Sequence, residues 1–438
     1  MQVSVEKTSE LSRKMFVSVP ETVLEEKVAA RLKNLARSVK IDGFRPGKAP
    51  ANIVNKMYGE RVRDEIKGDL IQSTYVEAIQ EQKLNPAGYP NIHSVDTDAE
   101  GFKYVAEFEL YPEVSVMGLD QLKITRPNAQ VEDSDFETML TKLREQRKTW
   151  VVVDRAAATA DRVTLSFTGV AEGENFTEGK VDNFQVEIGA KKMIPGFEDN
   201  LIGLTVGEHK SFEISFPEDY TNEKLAGKLA TFEVEITSIE APELPAIDAE
   251  LIKLFGVDSG DVEEFKADVK ANMERELKRA LKEKLKTSVM DSLYATYQFD
   301  VPQVMINNEI NHLLQPYAEN AKKRNLKLED LNLPREMFVE QAKRRVSLGL
   351  LLAEIIRANE LKVDPAKVRE TIEELAESYE DSEQVVSWYY QDKQRLEDIE
   401  QIVLEDQVVA WIVSQAQVSD ESISFDAAMN RDTVSKES

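Results

Sequence analysis

Cysteine is absent from all 438 residues. That excludes disulfides, thiol nucleophiles and thiolate metal sites together, and it favours a reducing compartment. Histidine is nearly absent: His93, His209 and His312 stand far apart, with no H-E-x-x-H spacing, so no metal site is expected. Neither G-x-G-x-x-G nor G-x-x-x-x-G-K-[ST] occurs, so nothing points to nucleotide use, and no cofactor of any kind is expected. Long apolar runs are missing too; none approaches the roughly 18 residues of a membrane span. Met1 leads into the alternating, charged MQVSVEK rather than a basic and then apolar leader, so the expected location is the cytoplasm, away from membranes.

What the chain has is acid, unevenly placed. The net charge is −26, yet residues 1–110 hold 16 basic against 17 acidic side chains, so almost all the excess lies downstream. Residues 27–67 reverse the sign, with 11 basic and 4 acidic. A positive tip on an acidic body approaches a phosphate-rich surface in one orientation only, since the body is repelled where the tip is attracted. Within the basic stretch lies Gly43, Phe44, Arg45, Pro46, Gly47, Lys48, Ala49 and Pro50. Leu24, Val28, Leu32, Leu35 and Ala36 before it, and Ile53 to Ile79 after it, recur at helical spacing, so the segment is expected to be a loop joining two helices. Its prolines and glycines fix or relax the backbone around an aromatic beside two cations, which suits a docking tip. Alternation at residues 2–6 and 102–111 adds strands, and an α+β domain is expected over 1–112.

The GFRPGKAP segment resembles the ribosome-binding signature of the bacterial trigger factor family. That resemblance implies contact with protein and RNA of the large ribosomal subunit beside the exit tunnel, with Phe44 against a protein surface, Arg45 on carboxylate or phosphate, and Lys48 adding positive potential. Gly43, Pro46, Gly47 and Pro50 complete the expected ribosome-binding set.

Residues 113–150 read as a linker with a polar helix from about Val131 to Trp150. The 151–243 segment alternates four times, at Val163/Leu165/Phe167, Phe184/Val186/Ile188, Phe212/Ile214/Phe216 and Phe232/Val234/Ile236, which predicts a small antiparallel sheet. Met193 to Ile202 reads as a turn entering a short helix that covers it. From SFTG (Ser166–Gly169) through IPGFEDNLIGLTVGE (Ile194–Glu208) and FPEDY (Phe216–Tyr220) to ATFEVEITSIE (Ala230–Glu240), the segment resembles FKBP-type peptidyl-prolyl isomerases. The resemblance implies a proline-binding bowl lined by Phe167, Phe176, Phe184, Met193, Ile194, Phe197, Tyr220 and Phe232. Alternation by itself assigns such aromatics to a core, Phe184, Phe212 and Phe216 most readily. Thr177 stands where free FKBP proteins usually carry Asp, which sets their polar contacts and tight macrolide binding apart from this chain. Rotation about an X-Pro bond breaks no covalent bond, and its barrier of about 20 kcal/mol comes from amide conjugation, so an apolar bowl needs no nucleophile.

A mostly helical domain is expected over 244–432, followed by a disordered tail at 433–438. Phe265, Val269, Met273, Leu277, Leu281, Leu285, Val289 and Leu293 recur every fourth residue, a row that winds around a helix and predicts different neighbours along its length. Helices are expected at about 303–324, 335–359, 365–378, 382–388 and 392–416, with a frayed polar segment from about 418. In the trigger factor resemblance the first two are arms, and Met305, Ile306, Ile310, Leu313, Leu314, Tyr317, Met337, Phe338 and Val339 are candidate contacts for nascent or unfolded polypeptide clients. Packing of those side chains against neighbouring helices is the reading that helical periodicity favours at least as strongly.

The leading expectation is a multidomain α+β chain acting as an ATP-independent, ribosome-associated chaperone with prolyl isomerase activity, and weakly homodimeric off the ribosome. Two other readings stay open: an isomerase working mainly off the ribosome, and a binding scaffold whose bowl has lost catalysis.

Overall fold

The computed structural model describes residues 1–39, 44, 50–98, 101–177, 179–222, 224–324, 326–327, 333–377, 379 and 381–430. The chain divides into two compact units: Met1–Pro127 with Lys282–Glu421, and Asn128–Leu281 with the residues from Ser422 on.

The first unit opens with β1 (Gln2–Lys7), β2 (Ser12–Pro20), α1 (Glu21–Ser38), α2 (Ala51–Glu81), β3 (Asn91–Asp98) and β4 (Gly101–Glu109), the strands forming an antiparallel sheet in the order β1-β2-β4-β3. Alternation decides its faces. Met15, Val17 and Val19 of β2 stand in register with Ala106, Tyr104 and Phe102 of β4. These side chains are buried together with Leu24 and Val28 of α1 and with Val62, Ile66 and Leu70 of α2. The Tyr104 hydroxyl is buried with them, paired with Thr74 Oγ1 at 2.9 Å. Gly101 enters β4 at φ +141°, where a Cβ would lie 2.0 Å from the Val19 carbonyl oxygen; only glycine fits. Strand β2 alternates as plainly as β4, and the sequence reading passed over both β2 and β3.

Next in the chain come β5 (Lys123–Asn128) and α3 (Asp133–Glu145), the helix opened by a capping box in which Glu132 and Asp135 bond each other's backbone N–H. The expected polar helix is shorter than the sequence suggested: it stops at Glu145, and Trp150 lies on a strand. Residues 113–150 are not bare linker. Leu122 and Ile124 are buried among Val289, Leu293, Leu351, Val408 and Ile412, and Leu140 is buried in the second unit beside Ile252 and Phe265.

In the second unit, β6 (Thr149–Val152), β7 (Arg162–Ala171), β8 (Glu174–Asn175), β9 (Val181–Glu187), β10 (His209–Ser215) and β11 (Leu229–Glu243) form one sheet, antiparallel at every pairing. Strand β11 is its spine, pairing with β10, β7 and β6, and it bulges at Thr237, between Ile236 and Ser238. The four alternating segments all appear as strands; Ile188 and Phe216 fall one residue beyond theirs.

The helices follow: α4 (Ala249–Lys253), α5 (Val262–Thr296), α6 (Gln303–Lys323), α7 (Val339–Ala358), α8 (Pro365–Ala376), α9 (Ser382–Tyr390) and α10 (Lys393–Gln415). Pro302 precedes α6 at its N-cap and Pro365 is the first residue of α8, positions where a missing N–H costs no helical bond. The winding row on α5 does change partners. Phe265, Val269, Met273 and Leu277 pack with Leu140, Ile252 and Phe425, whereas Val289 and Leu293 pack with Leu122, Ile124, Leu351 and Ile412. The chain then forms β12 (Gln417–Ser422), paired with β5, and α11 (Phe425–Met429). This corrects the expectation of a frayed segment from 418. Ile423 N–H donates to the Asn128 carbonyl, and Phe425 and Ala428 are buried. The expected disordered tail lies outside the described residues.

Candidate functional site, an aromatic bowl on the antiparallel sheet

Strand register assembles the bowl. Phe232 on β11 faces Phe212 across the β10 ladder and Gly169 across the β7 ladder, and Phe167 lies opposite Val234, two residues along. Period-two alternation therefore puts Phe167, Phe212 and Phe232 on one face. Phe197, carried by the turn that follows Ile194, drops its ring onto them. Its centroid lies 5.2 Å from Phe232, 5.5 Å from Phe212 and 6.2 Å from Phe167, edge-on each time. Such edge-to-face contacts set the positive rim of one ring on the negative face of another. At 0 % exposure Phe197 is floor rather than lining, and Phe232 is also buried.

The rest stand around this floor. Phe176 meets Phe232 and Phe216 edge-on, each at 5.6 Å. It has room because position 169 is glycine: a Cβ there would lie 2.2 Å from the Phe176 ring. Phe184 lies edge-on to Phe167 at 5.3 Å. Phe167, Phe176, Phe184, Met193 and Ile194 are half-buried against the same core and keep part of their surface open. Tyr220 is further out, its ring 4.7 Å from Phe216 and 37 % exposed. The structure thus gathers all eight candidates. Phe212 and Phe216 are core, as alternation suggested, while Phe184 is only half-buried.

Thr177 turns inward on the backbone. Its Oγ1 accepts from the Gly169 N–H at 3.2 Å and stands 2.7 Å from both Asn175 Oδ1 and the Gly179 carbonyl oxygen, to one of which its single proton is donated. It ties the segment that follows β8 back to β7. Sequence reasoning missed Glu198, a buried carboxylate under the Gly189–Met193 loop. The signal was available: an acid inside the apolar run IPGFEDNLI, where exposure is not the default.

Chemically, the bowl offers shape and dryness. Of its eight side chains only Tyr220 can ionise, and nothing in it is placed to attack a carbonyl. An amide twisting about C–N loses the resonance dipole that water stabilises, so a site that withdraws water and fits the twisted form lowers that barrier.

At the other candidate sites the picture is mixed. Phe44 is 39 % exposed and Pro50 is exposed at the N-cap of α2. Gly43, Arg45, Pro46, Gly47 and Lys48 lie outside the described residues. Beyond the loop, α1 and α2 are joined by Arg31–Glu65 at 2.6 Å and by Arg63 to Glu21 and Glu25. Among the client candidates, Ile306, Ile310, Leu314 and Phe338 are buried in one cluster between α6 and the start of α7. Met305, Leu313 and Val339 are half-buried, and Tyr317 and Met337 stand exposed. Among the described residues no helix is long and apolar enough to cross a membrane.

Fold and site together define a class: a multidomain α+β chain with a prolyl-isomerase-type sheet domain set, in sequence, between an α+β domain and a helical one. Comparison with known families finds the same order. The model for bacterial trigger factor protein matches residues 1–143, that for FKBP-type peptidyl-prolyl cis-trans isomerase 153–237, and that for the trigger factor C-terminus 261–414. Trigger factor of Stutzerimonas stutzeri is 45 % identical over 434 residues, covering 98 % of both chains. Trigger factor of Hahella chejuensis is 40 % identical over all of this chain and 98 % of its own. A solved trigger factor chaperone shares the fold at a TM-score of 0.50 and 16 % identity, over 94 % of this chain and 99 % of that one. The chain belongs to the bacterial trigger factor family. It is a ribosome-associated chaperone with peptidyl-prolyl isomerase activity, its N-terminal domain is the ribosome-binding part, and it binds unfolded polypeptides.

Proposed function

We propose that the chain works in the cytoplasm beside the ribosomal exit tunnel, anchored to large-subunit protein and RNA through Gly43, Phe44, Arg45, Pro46, Gly47, Lys48 and Pro50. One observation carries this reading: Phe44 keeps more than a third of its surface in water, in the middle of a stretch whose charge is opposite to that of the chain as a whole. An aromatic with basic neighbours suits a surface that is part protein and part phosphate.

Residues 151–243 then act on X-Pro bonds, with Phe167, Phe176, Phe184, Met193 and Ile194 touching substrate, Phe197 and Phe232 beneath, and Tyr220 donating its hydroxyl to a substrate carbonyl. Residues 244–432, joined by 113–150 through the buried Leu122, Ile124 and Leu140, hold clients. Tyr317 and Met337 make direct contact, with Met305, Leu313 and Val339 as partial contacts. Ile306, Ile310, Leu314 and Phe338 set the shape of the wall. Scattered contacts of this kind give weak, reversible binding to many sequences. Off the ribosome the exposed apolar side chains favour a weak homodimer.

Co-sedimentation with empty ribosomes tests the anchor, comparing the parent with Phe44→Ala, Arg45→Ala, Lys48→Ala at two salt concentrations. The expected result is parent binding that weakens with salt, as counterion release requires, and none by the triple variant. Equal sedimentation of the two would reject the anchor and leave an isomerase acting off the ribosome.

A further inference from the structure

Glu198 is 7 % exposed, and among the described residues its hydrogen-bond partners are main-chain groups only. Oε2 accepts from the Gly189 N–H at 2.8 Å and the Lys191 N–H at 3.0 Å. Oε1 accepts from Lys192 at 2.9 Å and Met193 at 3.2 Å. Four N–H groups of one short loop converge on a single carboxylate, the geometry of a backbone anion nest whose anion is a side chain of the same domain. Burial pushes the carboxyl up, but the four donors outweigh it and hold the group below the usual carboxylate range, hence charged at neutral pH.

This loop belongs to no strand or helix, so no ladder of backbone bonds fixes it. It ends in Met193 and Ile194, the half-buried wall of the bowl, and the Phe197 N–H then turns back to the Ile194 carbonyl at 3.1 Å. Wall and floor therefore sit on either side of Glu198 in the chain. We infer that Glu198 is a positioning residue for proline isomerisation: through its four N–H bonds it holds Met193 and Ile194 over Phe197, and so fixes the shape that accepts the twisted amide. The inference rests on the bowl being the catalytic site. Glutamine has the same size, but its NH2 cannot accept from an N–H, so Glu198→Gln empties half of the nest.

The test measures kcat and KM of the full-length chain on a short X-Pro peptide at about 10 °C, where the uncatalysed reaction takes minutes. The variants are Glu198→Gln, Glu198→Asp, Phe176→Ala and, as a control for general loosening of the core, Ile239→Val. For Glu198→Gln, folded by circular dichroism, kcat should fall about tenfold or more with KM moved less than about threefold, because transition-state shape is lost before ground-state contact. Ile239→Val should keep the parental kcat within about twofold, and Glu198→Asp, which keeps the charge, should recover part of the loss. A fall in kcat no larger than the unfolded fraction, or one matched by Ile239→Val, would overturn the inference. If Glu198→Gln fails to fold, Glu198→Asp is judged by the same criterion, and failure of both to fold would make Glu198 a folding residue and overturn it too. Loss of activity in Phe176→Ala with Glu198→Gln unaffected would reject Glu198 alone; full activity in Phe176→Ala would reject the bowl.

Discussion

Removing the floor of the bowl should cost the sheet domain a large part of its stability. Phe197 is fully buried, and its ring meets Phe167, Phe212 and Phe232. Truncating such a ring to alanine costs about 3–5 kcal/mol, the lost transfer energy plus the cavity left behind. A domain the size of residues 151–243 is worth about 5–14 kcal/mol at ordinary stability per residue, so Phe197→Ala removes about a fifth of it or more. Loss of activity in that variant therefore cannot separate catalysis from folding. Phe197→Leu fills much of the cavity and should cost only about 1–2 kcal/mol, which makes it the better kinetic probe. A chain of several domains does not unfold in one step, so the readout must be local. Trp150 supplies it: the residue lies on β6 opposite Pro242 of β11, its ring flanked by Lys148 at 4.7 Å and Arg162 at 4.6 Å. With the other two tryptophans, Trp388 and Trp411, replaced by Phe, its fluorescence follows denaturant unfolding of this sheet alone. A shift below about 1 kcal/mol for Phe197→Ala would refute the packing argument, because a ring in contact with three others would then be leaving no cavity.

Acid should unfold the same domain through two buried carboxylates. Asp161 is pushed up by burial, but Arg155 bonds both of its oxygens and the Ala158 N–H adds a third bond, so it stays below the usual range, as Glu198 does. With folded values depressed, their stabilisation is complete above the unfolded value of about 4 and is lost as pH falls through the folded values. Trp150-detected stability should drop below about pH 4, and more shallowly in Asp161→Asn; an unchanged acid slope would reject this. At the chain's far end, Phe425→Ala should destabilise the second unit by about 3 kcal/mol, since Phe425 packs with Leu140, Ile252 and Phe265. Met337→Ser, at a side chain 69 % exposed, should stay within about 0.5 kcal/mol while weakening capture of an unfolded client. Equal melting of the two variants would refute the assignment.

Much of the fold was legible where a local pattern and its burial coincide. The winding row of α5 predicted a change of neighbours, and the packing of Met273 and Val289 into different clusters has that cause. Pro302 and Pro365 sit at helix starts, where the missing N–H is harmless. The eight bowl residues were named from resemblance; alternation alone puts Phe167 and Phe232 on one face with Phe212 and cannot say which ring stays open. That choice depends on Gly169, whose missing side chain makes room for Phe176, a cross-strand contact that alternation alone does not display.

The misread C-terminal segment shows the same limit more sharply. Gln417–Ser422 has one apolar residue in six, so composition argues for a solvated end. Its order comes from a distant partner: β5 supplies the ladder, and Arg126 binds Asp420 through Nε at 2.6 Å and Nη2 at 3.0 Å. Two-stranded pairing of polar residues is marginal alone, and an exposed ion pair adds little. What stabilises the segment is its sequel, where Ser424 caps α11 by accepting from the Ala427 N–H and directs Phe425 into the core. The anchor is one aromatic 285 residues away from Leu140 in sequence, which is why Phe425→Ala should release strand and helix together, whereas Arg126→Ala should leave both in place. Amide exchange at Ile423, whose N–H donates to Asn128, separates the cases: fast exchange in the arginine variant and slow exchange in the phenylalanine variant would show that charge rather than burial holds the segment.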